Sequence, residues 1–172
     1  MIKDWKVMVM RQIGFSAIEM LAVLAVMAIL AAMAIPSYQS KIIREQIVAA
    51  IPFADTAKEP ISAYRKATMA FPEDNKEAGL PDANKIVSNQ ISALVVEGGA
   101  IHMTFGNNAH NLLKDKVLSI RPAIVEDAPI VPIAWVCGNA APPDGMAVKG
   151  NNKTNVPSAY LPLGCRQLPP KK

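Results

Sequence analysis

Glu19 is the residue whose position most needs a chemical explanation. Between residues 15 and 35 only Ser16 and Glu19 are polar, and residues 20–35 form an unbroken apolar run. A carboxylate within a spanning helix costs roughly 2.5–3.5 kcal/mol on insertion scales, so keeping it there demands a partner. No Lys or Arg lies between residues 15 and 40 to act as one. The bland alternative is a carboxylate near the headgroups that simply snorkels into water.

Cys137 and Cys165 are the only cysteines. No zinc-ligand spacing accompanies them, and two lone cysteines near one end of a chain read as one bridge. His102 and His110 are the only histidines, with no Cys or carboxylate at a spacing that suits a metal. His102 is expected on the polar face of a strand, as a satisfied surface histidine. The acid pairs Glu73-Asp74 and Glu126-Asp127 read as solvated loops. Asn152-Lys153-Thr154 matches a glycosylation triplet, a pattern common by chance. There is no phosphate-binding glycine loop and no nucleophile motif. The expectation is therefore a non-enzyme with no cofactor and no metal.

The elements that must place these residues can be read from the distribution of apolar residues. Hydrophobic residues make up 51% of the chain and charged ones 19%, and the apolar excess is concentrated near the N-terminus. As a helix, the 21 residues of 15–35 would extend roughly 31 Å, close to the hydrocarbon thickness of a bilayer. A signal-peptide core is shorter and precedes a small-residue cleavage site. Here the run continues into Pro36, Tyr38 and an amphipathic segment, so a retained membrane span is expected. Lys3, Lys6 and Arg11 precede it with only Asp4 opposing. That bias keeps the N-terminus cytoplasmic and sends the long C-terminal part, with both cysteines, to the oxidising side. The net charge of +4 says little about partners.

Beyond the span, Ile43, Ile47, Ala50, Ala54, Ala57, Ile61 and Tyr64 recur at four- and three-residue spacing, one apolar stripe of a helix. Pro36, Pro52 and Pro60 interrupt that line, and each predicts a kink. Residues 71–81 are polar and loop-like. Strands are expected over 91–96 and 100–105, joined by a Gly98-Gly99 hairpin turn. A third is expected over 117–121, with Leu118 and Ile120 inward. A fourth has Val131, Ile133, Trp135 and Cys137 on one face, and Pro132 marks an edge or bulge. A helix followed by four antiparallel strands is α+β architecture. After Cys137 the sequence is rich in Pro, Gly and Asn and is expected to build little core. A bridge closing a loop of that size contributes about 3–4 kcal/mol in the chain-entropy model.

The stretch Arg11-Gln12-Ile13-Gly14-Phe15-Ser16-Ala17-Ile18-Glu19-Met20 resembles the type IV prepilin signature: a basic leader, glycine, phenylalanine, Ser/Thr, two apolar residues and glutamate. Ala17 replaces the leucine usual in that family. The segments 133–137 and 160–166 look like the C-terminal half of type IVa pilins. The resemblance implies a long N-terminal helix, membrane-spanning in its first half, on a four-stranded antiparallel sheet with a disulfide-bounded C-terminal loop. It divides the chain into a leader, 1–14, a helix, 15–66 (with 15–35 the transmembrane and assembly segment), and a globular part, 67–172, with its loop at 137–165. Met8 or Met10 as the start would give a leader of more usual length.

The same resemblance implies cleavage by a prepilin peptidase between Gly14 and Phe15, then N-methylation of Phe15. The new Phe15 ammonium would be a cation at the right depth for Glu19, in the same chain or in a neighbouring subunit. The expected function is that of a structural subunit: a homo-oligomeric helical filament for adhesion, twitching motility or DNA uptake. Its expected partners are the peptidase, the inner-membrane assembly machinery, membrane lipid before assembly, and DNA or surface ligands. The precursor would sit in the inner membrane and the product in an extracellular pilus (fimbrium). One alternative is a pseudopilin of a type II secretion system, which shares the leader and the glutamate. Another is a membrane-tethered DNA-binding module using Lys114, Lys116, Lys149, Lys153, Lys171 and Lys172, although these are scattered and lack an aromatic stacking run.

Overall fold

The structure, a computed structural model, describes Gly14, residues 16–126, Ala128 and residues 130–167. The chain divides into two compact units, Met1–Gln39 and Ser40–Lys172. In the first, the described part is the start of helix α1, Ala17–Ala50. Unbroken runs of Ala, Leu, Ile, Met and Val without glycine favour this helix, and it continues through Pro36.

In the second unit α1 gives way at Pro52 to a single 3-10 turn, Ile51–Ala54, and then to α2, Asp55–Thr68. Pro52 lies in the first turn of that short element, where it has no N–H to offer the carbonyls of the last turn of α1, so the α-helical pattern breaks there. Pro60 lies within α2. The predicted stripe is the buried one: Ile43, Ile47, Ala50, Ala54, Ala57 and Ile61 all have at most 1% exposure. Tyr64 ends the stripe half-buried.

That stripe packs on an antiparallel sheet of order β1-β2-β3-β4, made of β1 (Ile91–Glu97), β2 (Ala100–Phe105), β3 (Val117–Ile124) and β4 (Ala134–Cys137). A short fifth strand, β5 (Ala147–Val148), also pairs with β3. The inner face presents Leu94, Val96, Ile101, Met103, Phe105, Leu118 and Ile120 to the helices. Gly98 and Gly99 both take positive φ, 55° and 77°, the conformation a two-residue hairpin turn needs and only glycine adopts freely.

Two strands depart from the sequence-based expectation. The fourth begins at Ala134, so Val131 and Ile133 fall in the connection before it, while Trp135 and Cys137 pack against the core. The third continues three residues past Arg121, through Pro122. The Pro122 carbonyl accepts from the Lys149 N–H at 2.8 Å, so its nitrogen faces the same side. There β2 has already ended and β5 only begins, and a missing donor breaks no ladder bond.

The outer face of the sheet corrects the reading of His102, which has only 4% exposure. Alternation does put it on the face away from the helices, but residues 149–155 cross that face and cover it. Lys149 N–H donates to Pro122 O, Lys153 N–H to Ser119 Oγ (2.9 Å) and Asn155 N–H to Val117 O (3.1 Å). The segment between the cysteines also supplies Val156 and Leu161 to the core, more than its Pro, Gly and Asn content suggested.

Candidate functional site

Helix α1 starts at Ala17, which puts Ser16 at the cap and Glu19 in the first turn. The Ser16 N–H donates to Glu19 Oε2 at 2.7 Å, and the Glu19 N–H donates to Ser16 Oγ at 3.3 Å. This reciprocal capping box satisfies two donors that every helix start leaves open. Its Ser-x-x-Glu signal lies in plain sight, yet the reading of Glu19 as an apolar-segment carboxylate passed over it. Both donors to the pair are neutral, and among the described residues no ion pair includes Glu19. Its negative charge is stabilised by the helix N-terminus but not cancelled.

Gly14 sits two residues before this cap and is exposed. A Cβ added there would meet nothing within 4 Å among the described residues, so the fold itself does not ask for glycine. Phe15, the residue expected to pair with Glu19, lies outside the described residues, as do the leader cations Lys3, Lys6 and Arg11.

The helix that carries Glu19 is long and apolar enough to cross a membrane, and its apolar window is not buried in the protein at all. Ile18 is 75% exposed, and Leu21, Leu24, Met27, Leu30 and Met33 are each more than half exposed. An exposed apolar surface of this extent is compatible with membrane anchoring or with burial among other chains. Ala22, Ala25, Ala28 and Ala32 recur at three- and four-residue spacing, which lets helix backbones approach closely in an apolar medium.

At the other end of the chain, Cys137 and Cys165 are bonded, with Cα atoms 4.6 Å apart and a sequence separation of 28. Gly138 makes the approach possible: at φ 55°, a Cβ there would lie 2.8 Å from the Cys165 carbonyl oxygen. The Asn139 N–H donates to that same oxygen. Arg44 of α1 and Arg166 both donate to the Ala159 carbonyl at 2.9 Å, so the bonded segment is tied to helix as well as sheet.

The remaining sequence candidates do not converge. The His110 N–H donates to Gln46 Oε1 at 2.8 Å and its Nδ1 accepts from the Leu112 N–H, a structural role between α1 and the β2–β3 connection. Lys149 pairs with Glu126, and Lys153 with Glu97, which removes two cations from the proposed phosphate-binding set. Lys171, Lys172 and Asp127 lie outside the described residues.

The family model described as pilin (bacterial filament) matches residues 44–166. The chain belongs to the pilin family. This pilin is 29% identical over 161 residues to the type IV major pilin protein PilE of Neisseria gonorrhoeae, covering 90% of this chain and 94% of that protein. It is likewise 29% identical over 164 residues to a fimbrial protein of Neisseria meningitidis serogroup B, with the same coverage of each. A third relative is the fimbrial protein EcpC of Eikenella corrodens, 27% identical over 90% of this pilin and 91% of the relative. The matches to these relatives span nearly the whole chain, whereas the family model begins at Arg44, beyond the apolar segment.

Proposed function

We propose that this pilin is the structural subunit of an extracellular type IV pilus, polymerising through the first half of α1. The observation that carries the proposal is the apolar segment of α1, exposed over residues 17–33 and headed by a carboxylate that no cation in the described protein neutralises. Lipid tails are as apolar as the side chains of this helix, so moving it from bilayer to filament gains little hydrophobic energy. Close packing at the alanine positions and pairing of Glu19 must then decide whether and where subunits join. A prepilin peptidase that cuts between Gly14 and Phe15 creates the missing cation, the Phe15 ammonium, which is then N-methylated. The ammonium of an incoming subunit meets Glu19 of a docked one and sets the vertical register.

In this reading, 1–14 is a leader, 15–35 the transmembrane and assembly segment, and the globular part carries the disulfide-bounded surface at 137–165. The precursor resides in the inner membrane and is handed to the assembly machinery there. Immunogold microscopy of sheared surface filaments tests the proposal. Label along filaments is expected, while label confined to the periplasm would turn the assignment toward a secretion pseudopilin.

A further inference from the structure

His102 is buried on the outer face of the sheet, the face turned away from the helix stripe of residues 43–61. Its Nδ1 lies 2.9 Å from Ser119 Oγ, and that oxygen also accepts the Lys153 N–H at 2.9 Å. The Ser119 N–H donates in turn to Thr154 Oγ1 at 3.0 Å. A second tie runs beside it, the Lys153–Glu97 ion pair. His102 Nε2 is buried with no hydrogen-bond partner. The 149–155 segment also fits tightly where it passes the β1–β2 turn, since a Cβ on Gly150 would lie 2.6 Å from the Ala100 Cβ. Residues 149–155 are thus docked over a histidine whose hydrogen bonding is only half completed.

We propose that His102 is an acid-sensitive latch: neutral, it holds residues 149–155 against the sheet through Ser119, and protonated, it releases them. The latch goes beyond filament assembly and is built entirely within one subunit. The neutral ring leaves one nitrogen unpaired, a modest cost. The imidazolium would add a buried charge and a second N–H with no acceptor, which costs far more. The charged groups on this face are Glu97 of β1, Arg121 of β3, and Lys149 and Lys153 of the covering segment. Lys149 pairs with Glu126 and Lys153 with Glu97, which leaves Arg121 outside any ion pair among the described residues. Burial chiefly, then Lys153, pushes the His102 pKa below its ordinary value, against the pull of Glu97.

The sign follows from linkage. A histidine with a depressed folded-state pKa stabilises the docked segment above the ordinary value of about 6.5, and that stability is lost as pH falls below it. Once Lys153 lifts away, His102 reaches water and charges freely. The part of the disulfide-bounded surface that carries Asn151, Asn152 and Lys153 then moves off the sheet.

Amide hydrogen exchange on the full chain in detergent micelles tests this, with rates corrected for intrinsic pH dependence. Protection of the Lys153 and Ser119 amides is expected to fall by up to about tenfold per pH unit below about 6.5. The sheet amides of Met103 and Leu118 should hold, and His102→Gln, which cannot titrate, should abolish the pH dependence. Protection that is flat with pH, or falls equally at Met103 and Leu118, or falls equally in His102→Gln, overturns the proposal. Should His102→Gln fail to fold, the His102 ring titration in the wild-type chain by NMR decides alone. A midpoint below about 6.5 supports the latch, and an ordinary midpoint overturns it.

Discussion

Asn75 pairs with the free edge of β1 as a strand would: its Nδ2 donates to Leu94 O at 2.9 Å, and its Oδ1 accepts from the Val96 N–H at 2.6 Å. β1 is an outer strand whose only partner within the sheet is β2, and an uncovered edge invites pairing with other chains. A subunit that assembles into filaments has particular reason to close it. Asn75 is held for this task, since its Nδ2 also donates to Pro81 O at 3.1 Å.

Asn75→Ala should destabilise the globular unit by about 1–3 kcal/mol, because two backbone groups of β1 lose their partner. Asn75→Asp should cost at least as much, since it sets a carboxylate oxygen against two carbonyls. Denaturant unfolding of each variant in detergent micelles measures both.

What was legible in the sequence divides along physical lines. The stripe from Ile43 to Ile61 was readable because one helix face packs on one sheet face, and a period near 3.6 survives any change of detail. Gly98-Gly99 was readable because two positive φ values in a row leave few alternatives. His102 was misplaced because strand alternation gives the face and not what covers it, and its cover is a segment without periodicity. The extension of β3 through Pro122 was hidden because proline argues against a strand unless one knows that β2 has already ended. Asn75 had no signature at all, since a side chain that imitates a backbone is recognised only once the edge it serves is known. Ser16 was readable and simply overshadowed by Glu19.

The Cys137–Cys165 bond closes a 28-residue separation, for which the chain-entropy model gives about 3–4 kcal/mol. Cys165→Ser should lose that contribution and loosen the contacts of Arg44 and Arg166 with Ala159. The level of the variant in the cell envelope should fall as proteolysis of opened protein rises. Alkylation of intact cells should find no free thiol in the wild-type protein.

Glu19→Ala should insert at least as well as the wild type, because it removes a carboxylate from the membrane segment. Filament yield should drop by about tenfold for each 1.4 kcal/mol that the lost pair supplied to subunit addition. Glu19→Asp keeps the charge but shortens the reach, and should lie between the two. Blots of the membrane fraction for cleaved subunit, beside shear preparations for filaments, separate insertion from assembly. Wild-type filament from Glu19→Ala would reduce the carboxylate to a helix cap.

Gly14→Val should leave the precursor uncleaved in the membrane. The described protein leaves open space around Gly14, so the substitution should not disturb folding, and its effect should appear only at the peptidase. A branched side chain would obstruct the peptide bond that glycine leaves open to the peptidase, and normal cleavage of Gly14→Val would contradict this.

Intact-mass measurement of protein released by shearing surface filaments tests the central claim most directly. The account predicts that the filament protein is this chain beginning at Phe15, lighter by residues 1–14 and heavier by one methyl group. Filament protein that retains residues 1–14, or surface filaments from which this chain is absent while it stays in the membrane, would contradict it.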